Sequence, residues 1–309
     1  MDRIDAMTTL IAAVDGGSLS AASRNLGMPL ATVSRKVSEL EAHLRTKLVI
    51  RTSRKLMLTE PGRAYVAASR RILEEIDETE RAASGEYGAP QGHLTITAPI
   101  MFGRLHVEPV VLAFLQAYPD IQARLILADH VVNLVDDHIE VAIRIGRLPD
   151  SAMVATQVGT MRMVTCISPA LLGSHGMPAV PGDLQRFPCV AVEAPMPSSG
   201  WRFRDPGSGA PRDVAISARL AVSTPEAAAA AAVRGVGAAR LLHYQAADAL
   251  RQGALHVVLA EYELEPAPVH LLHAARGQMP LKMRRFLDFA APRLRLVLGR
   301  FASGEAPVA

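Results

Sequence analysis

The sequence predicts an α/β multidomain protein: an N-terminal winged helix-turn-helix, a long linker helix and a C-terminal two-lobed α/β domain. Three observations predict it. Residues 18–58 place two short amphipathic helices around a glycine turn and follow them with a basic hairpin. From Thr59 no helix breaker intervenes between Gly62 and Gly85. From His93 onward strand and helix signals alternate, which implies mostly parallel sheets covered by helices on both faces.

Ile4, Met7, Ile11 and Val14 recur at helical spacing, so a first helix ends before Gly16-Gly17. Ser18 caps a second helix starting at Leu19 or Ser20, and Ala21 and Ala22 let it sit close to a neighbour. Gly27 follows Leu26 where the chain must leave that helix, because glycine takes a left-handed conformation without a Cβ penalty. Pro29 suits a first helical turn, where its missing N–H is harmless. The third helix then spans Pro29 to Leu44, with Leu30, Val33, Val37, Leu40 and Leu44 on one side and Thr32, Ser34, Arg35, Lys36 and Ser38 on the other. An apolar back and a short, polar, basic front suit a helix lying in the major groove. Leu48 to Ile50 and Leu56 to Leu58 read as strands flanking Arg51, Thr52, Ser53, Arg54 and Lys55, a wing whose cations suit phosphates or the minor groove. Any one of these features alone reads as a solvated surface; their order and spacing together point to double-stranded DNA.

Charge agrees. Residues 1–60 hold nine Lys/Arg against six Asp/Glu, and the remainder holds 24 of each, so the first segment accounts for the formal +3. Counter-ion release then drives non-specific affinity. At 309 residues, half of them hydrophobic, the chain is long enough for two or three domains. The N-terminus has no basic region followed by an apolar run, and no uninterrupted apolar stretch approaches the ~18 residues of a membrane span. A soluble, cytoplasmic protein with no membrane partner is expected. Cys166 and Cys189 lie in apolar strand-like runs and read as buried thiols, and the ten histidines show no metal-ligand spacing. No metal, cofactor or catalytic residue is expected.

Thr59 caps the long helix and Pro61 fits its first turn. Tyr65, Ser69, Ile72, Ile76, Thr79 and Ala83 form a weak heptad seam, read as a dimerisation face; the alternative is a helix packed on its own domain. The organisation expected is residues 1–59 for DNA binding (helix-turn-helix about 19–44), 60–88 for the linker and dimerisation helix, and 89–309 for the two lobes, with Gly85 to Gly92 as connector. Lobe I takes 89–162 plus 267–301, and lobe II 163–266. Within lobe I the pattern predicts strand His93 to Ala98, helix Gly103 to Tyr118, strand Gln122 to Leu127, a short helix Val131 to Asp137 and strand Val141 to Ile145. Lobe II is expected to run through strand Met163 to Ile167, helices Pro169 to His175 and Pro181 to Phe187, and strand Cys189 to Val192. An antiparallel pair around Trp201 to Arg204 and Val214 to Val222, turning at PGSGAP, comes next. Helices Pro225 to Arg234 and Tyr244 to Gln252 and strand Leu255 to Leu259 follow. Val269 to His273 and helix Leu281 to Ala290 return to the first sheet. Crossovers near Met161 to Val164 and Pro266 to Val269 make a hinged clamp, whose ligands bind at the carboxyl ends of the strands.

The stretches AASRNLGMPLATVSRKVSELEAHL and KLVIRTSRKLMLTEPGRAY resemble the DNA-binding domain of the LysR-type transcriptional regulators. GHLTITAPIMFGR, VAIRIGRLPDS, CISPALL, STPEAAAAAAVRGVGA and PLKMRRFLDF are similar to that family's effector domain, so the likeness covers nearly the whole chain. It implies a periplasmic-binding-protein-like effector domain, a homodimer or homotetramer on promoter DNA, a small-molecule effector between the lobes and contact with RNA polymerase. It also assigns Thr32, Arg35 and Lys36 to base edges and Ser34, Arg51 and Thr52 to phosphates, with Arg54 and Lys55 on the wing. Arg45 and Val49 stand where similar proteins often have glycine and a larger apolar residue. GVGAARLLHY replaces a common GxGIxxLP, placing Arg240 and His243 near the cleft.

For the effector, the backbone of Pro99, Ile100, Met101 and Phe102 opens the first lobe I helix toward the cleft. Ser223 and Thr224 open the alanine-rich helix of lobe II, whose positive end can receive a carboxylate. Thr224 as a plain helix cap is equally compatible. Arg144 and Arg240 are the cations best placed to meet an acid, with structural ion pairing as the alternative. A small organic anion or aromatic acid is the expected effector. The competing readings are an architectural DNA-binding protein without a ligand, a solute receptor, which would need a signal peptide, and an enzyme. For an enzyme the chain offers no phosphate loop, nucleophile elbow or paired carboxylates.

Overall fold

A computed structural model describes residues 1–51, 56–83, 89–130, 139–148, 153–193, 200–274 and 279–302. The chain divides into two compact units, 1–89 and 90–309.

The first unit opens with α1 (Arg3–Asp15), capped by Asp2. Next, α2 (Leu19–Leu26) begins where the Ser18 hydroxyl accepts the Ala21 N–H at 3.1 Å, and ends at Gly27 with φ 63°. Pro29 is the extended residue before α3 (Leu30–Leu44) rather than part of its first turn. Burial on α3 is confined to Val33, Val37, Leu40 and Glu41, while Leu30 at its start is 46% exposed. The predicted apolar stripe is therefore right in its middle and too long at its start. Ala6, Leu10, Val37, Leu40, Leu48, Val49 and Val66 form the core. Arg45, after α3, takes the left-handed conformation (φ 52°) that its glycine-like position requires.

The wing strands β1 (Val49–Arg51) and β2 (Leu56–Leu58) pair antiparallel. Thr59 then caps α4 (Glu60–Ala83): its hydroxyl accepts the Gly62 N–H at 3.0 Å and donates to the Lys47 carbonyl at 2.6 Å. Gly62 is needed for this approach, since a Cβ there would lie 2.0 Å from the Leu48 carbonyl oxygen. The predicted seam divides along α4. Val66 and Ser69 are buried in the unit's own core with Tyr65 packed against it, whereas Ile72 is 43% exposed. An Arg70–Asp15 ion pair adds a second tie between α4 and α1.

The second unit contains two five-stranded sheets. The lobe I sheet has the order β4 (Ile121–Leu127), β3 (Gly92–Ala98), β5 (Val141–Ile145), β14 (Ala267–Ala274), β6 (Met153–Met161). The lobe II sheet runs β11 (Ser217–Val222), β8 (Pro188–Val192), β12 (Ala238–Leu242), β7 (Met163–Ile167), β13 (His256–Val258). In each sheet the first three strands are mutually parallel, and the remaining pairings are antiparallel. The sheets are thus mixed, not mostly parallel. Alternation of strands and helices does not fix pairing direction: β5 with β14 and β7 with β13, all read as strands in the sequence, pair antiparallel, while β6 and β12, which carry no clean alternation, escape a periodicity reading.

Four further expectations change. Only β9 (Gly200–Arg204) and β10 (Pro211–Ala215) form the hairpin, while β11 leaves it to run parallel to β8. The first lobe I helix starts as α5 (Ile100–Phe102), passes through a π turn at Gly103–Val107 and continues as α6 (Glu108–Ala117). By length and mean hydropathy of 1.3 this run could cross a membrane, but Phe102, Val107, Val110, Val111 and Phe114 are buried in the lobe I core. Residues 181–186 form a 3₁₀ segment. The last helix, α10 (Leu281–Ala302), runs on beyond the predicted Ala290 and continues through Pro292, which lies on its exposed face. The predicted helix Val131 to Asp137 lies outside the described residues.

Candidate nucleic-acid interface and effector cleft

On α3 the polar front divides. Arg35 is 65% exposed and bonds Glu39 one turn on, at 2.9 Å. Such an exposed i,i+4 pair is worth about 0.3–0.5 kcal/mol, so Arg35 can exchange it for DNA at little cost. Lys36 is only 18% exposed; its Nζ lies 2.6 Å from Asp5 Oδ1 on α1 and 3.3 Å from Met28 Sδ. It ties α3 to α1 instead of projecting freely. A groove of about 510 Å³ here is lined by Met1, Asp2, Asp5, Arg35, Lys36 and Glu39. Thr32 and Ser34 are half-buried on the same helix. Arg51 ends β1, opposite Leu56; Thr52, Arg54 and Lys55 lie outside the described residues.

Glu41 was not foreseen. It is buried at the base of the wing, where it accepts the Leu48 and Val49 N–H groups at 2.8 and 3.1 Å and the Lys47 ammonium at 2.8 Å. Burial raises its carboxyl pKa, but the Lys47 bond and the two backbone donors outweigh this and hold it below the usual range. An acid placed eight residues before the strand it anchors leaves no local sequence signal.

In lobe I the start of α5 is already occupied. Pro99 is its extended cap residue, the Ile100 N–H donates to Asp129 at 2.9 Å, and the Phe102 backbone bonds the Tyr244 hydroxyl. Pro99 has no N–H to offer, and the Ile100 and Phe102 donors are already engaged; Met101 is half-buried and Phe102 fully buried. In lobe II, Thr224 is a conventional cap of α8 (Pro225–Val233), accepting the Ala227 N–H at 3.3 Å, with Ser223 exposed beside it.

The two arginines have more in common. Arg144 on β5 is half-buried, with Nη1 on its neighbour's carbonyl at 3.3 Å and a buried Nη2 that has no hydrogen-bond partner among the described residues. Burial pushes its guanidinium pKa down and Asp129 pushes it back up. Strand pairing sets His270 on β14 opposite Arg144, and Thr97 lies one strand away on β3, next to β5. Both have a buried polar side-chain atom that is likewise unpartnered. Arg240 on β12 lies 4.5 Å over the Phe203 ring, also with a buried, unpartnered Nη1. Burial pushes it down to about 10.

The crossovers are held by a fork: Arg162, between β6 and β7, bonds Glu263 twice at 2.8 Å. Beside it the lobes share a ring cluster. Tyr244, on α9 (His243–Arg251), meets Phe102 and His106 edge-on at 5.3 and 5.8 Å; Phe301 meets His106 and His243 at 5.5 and 5.7 Å. His106 Nε2 and His243 Nδ1 are buried without hydrogen-bond partners among the described residues, and burial pushes His106 down to about 4. The two cysteines are free and buried, as predicted, and burial pushes them up to about 12 and 11. Neither is a nucleophile at neutral pH. No group of three or more metal-ligating side chains occurs among the described residues.

Residues 4–63 match the family described as bacterial regulatory helix-turn-helix protein, lysR family, and residues 88–295 match the LysR substrate binding domain. An HTH-type transcriptional repressor of Pseudomonas aeruginosa is 34% identical over 94% of this chain and 91% of its own length. The HTH-type transcriptional activator AaeR of Escherichia coli is 28% identical over 92% of this chain and 91% of its own. Among solved structures, CrgA of Neisseria meningitidis, titled a LysR-type transcriptional regulator, aligns with a TM-score of 0.59 and 28% identity. It covers 94% of this chain and 98% of CrgA.

Proposed function

This chain belongs to the LysR family of transcriptional regulators, and from that premise we propose that it switches a promoter when a small organic anion or aromatic acid enters between its lobes. The family's DNA-binding and effector-binding domains are both present, and its relatives are regulators, not enzymes. One observation carries the choice of effector: each lobe holds an arginine, Arg144 and Arg240, with a buried N–H group that has no hydrogen-bond partner among the described residues. Leaving a charged donor buried and unpaired costs about 1–3 kcal/mol, which an anionic ligand would return. The occupied start of α5 moves the expected seat away from Ile100–Phe102 toward Arg144. In this reading Arg35, Thr32 and Ser34 meet DNA with the wing residues Arg51, Thr52, Arg54 and Lys55. Lys36 acts through its hold on Asp5, and the exposed stretch of α4 from Ile72 pairs two copies into a homodimer or homotetramer in the cytoplasm. RNA polymerase is the downstream partner.

Titration calorimetry against a panel of aliphatic and aromatic acids tests the effector class, with Arg240→Ala and Arg144→Ala as controls. Binding of acids that both substitutions weaken at least tenfold is expected. Tight binding only of neutral or cationic compounds would overturn the reading.

A further inference from the structure

The net charge of the second unit conceals a strong local field. Helix α10 carries Lys282, Arg284, Arg285, Arg293, Arg295 and Arg300 against a single acid, Asp288, so its 22 residues hold +5 where the whole chain holds +3. Lys282 is buried against Glu140, while the five arginines are exposed, as is Asp288. Arg284 and Arg285 stand four and three residues from Asp288, yet neither forms an ion pair with it, and Arg295 has no ion pair among the described residues. Arg293 is stacked 3.5 Å over Phe289, which fixes its guanidinium at the surface.

The opposite face of α10 is firmly seated. Met283, Phe286, Ala290, Leu294, Leu298 and Phe301 are buried in the lobe I core, and a Cβ on Gly159 of β6 would lie 2.7 Å from Leu298. The strand beneath, Met153–Met161, contains no carboxylate to neutralise the arginines. At 1.5 Å per residue, Arg284 to Arg295 spans roughly 16 Å of rigid, net positive surface in which Asp288 is the single acid, about the length of five phosphates along one DNA strand.

We propose that the arginine face of α10 is a second DNA contact, in which Arg284, Arg285 and Arg295 of the effector unit engage phosphates flanking the site read by the helix-turn-helix. Charge complementarity selects the occupant: the protein's partner is a polyanion, and guanidinium pairs with phosphate in two-bond forks. Such contacts carry no sequence information; they lengthen the footprint and steepen the salt dependence.

The experiment uses the full chain and the triple variant R284Q/R285Q/R295Q, with R284K/R285K/R295K as its partner and circular dichroism to verify folding of both. Affinity is measured against salt on a long duplex and on a short one that covers only the helix-turn-helix site. On the long duplex the Gln variant should lose about 0.9 from the log–log slope per contact, up to about 2.7, and should protect a shorter footprint. Its slope on the short duplex should be unchanged, and the Lys variant should keep the long-duplex slope, since each ammonium still displaces a counter-ion. A folded Gln variant with the parent's slope and footprint on the long duplex overturns the proposal. So does equal flattening on both duplexes, which would mark a diffuse field, or loss of slope in the Lys variant.

Discussion

The two units treat buried polar groups in opposite ways. In the first, Glu41 takes three hydrogen bonds and Lys36 sits on Asp5; among its described side chains only the Ser69 hydroxyl is buried without a partner. In the second, Thr97, His106, Arg144, Arg240, His243 and His270 all hold buried atoms with no hydrogen-bond partner among the described residues. A satisfied polar core makes one rigid arrangement much lower in energy than any other, which suits a helix that must meet bases in register. An unsatisfied one leaves several kcal/mol to be gained from a ligand or lost to a proton, which suits a domain whose state must change.

Acid should break this comparison most severely. The folded pKa of His106 is depressed from 6.5 to about 4, so its contribution is complete above about pH 6.5 and is lost as pH falls toward 4. On the order of 3 kcal/mol of second-unit stability should go with it. Chemical denaturation of wild type and His106→Phe across that window checks this: the variant should lose the slope, and an equally steep profile would place the sensitivity elsewhere. The first unit should respond only further down. Glu41, held below 4.5, contributes stability above that value and loses it as pH falls through its folded pKa.

The next largest effect separates the two cations of α3. Arg35→Ala should cost about 2 kcal/mol of discrimination between operator variants while changing stability by under about 0.5 kcal/mol. Equal weakening on every DNA sequence would reduce Arg35 to a phosphate contact. Lys36→Met should do the reverse, lowering first-unit stability by about 1 kcal/mol with little change in sequence preference. In the effector unit, Arg144→Met should leave the unliganded fold as stable or raise it by about 1 kcal/mol while abolishing the response to acids. A clear loss of stability would show Arg144 to be structural. The smallest test is Arg45→Gly, which should stabilise the first unit by about 1 kcal/mol by relieving the left-handed φ, read as a rise in melting temperature.

Local signals made the first unit legible: Ser18, Gly27 and Thr59 cap or close the helices the sequence assigned to them, and the Val33–Leu40 stripe is the buried one. Lobes were legible as an alternation, down to the bounds of β5, β7 and the helix Pro169–His175. Pairing was not. The departure of β11 from its hairpin and the insertion of β12 between β7 and β8 are chosen by long-range hydrogen bonding, which leaves no periodicity in the strand itself. Site residues followed the same division. Thr224 capped its helix as expected, whereas occupation of the Ile100 N–H by Asp129, 29 residues away, required the folded chain.

By itself, then, the sequence determined which segments become helices and strands, that a helix-turn-helix precedes a two-lobed α/β domain, and which family the chain resembles. Each follows from side-chain period and backbone preference within a few residues. Only the tertiary structure decided which cations are spent internally and which are left open. Lys36 and Arg35 are chain neighbours of equal charge, yet one faces Asp5 on another helix and the other faces solvent. Partner and burial are properties of the packed surface a side chain meets, and neither is encoded in the residue alone.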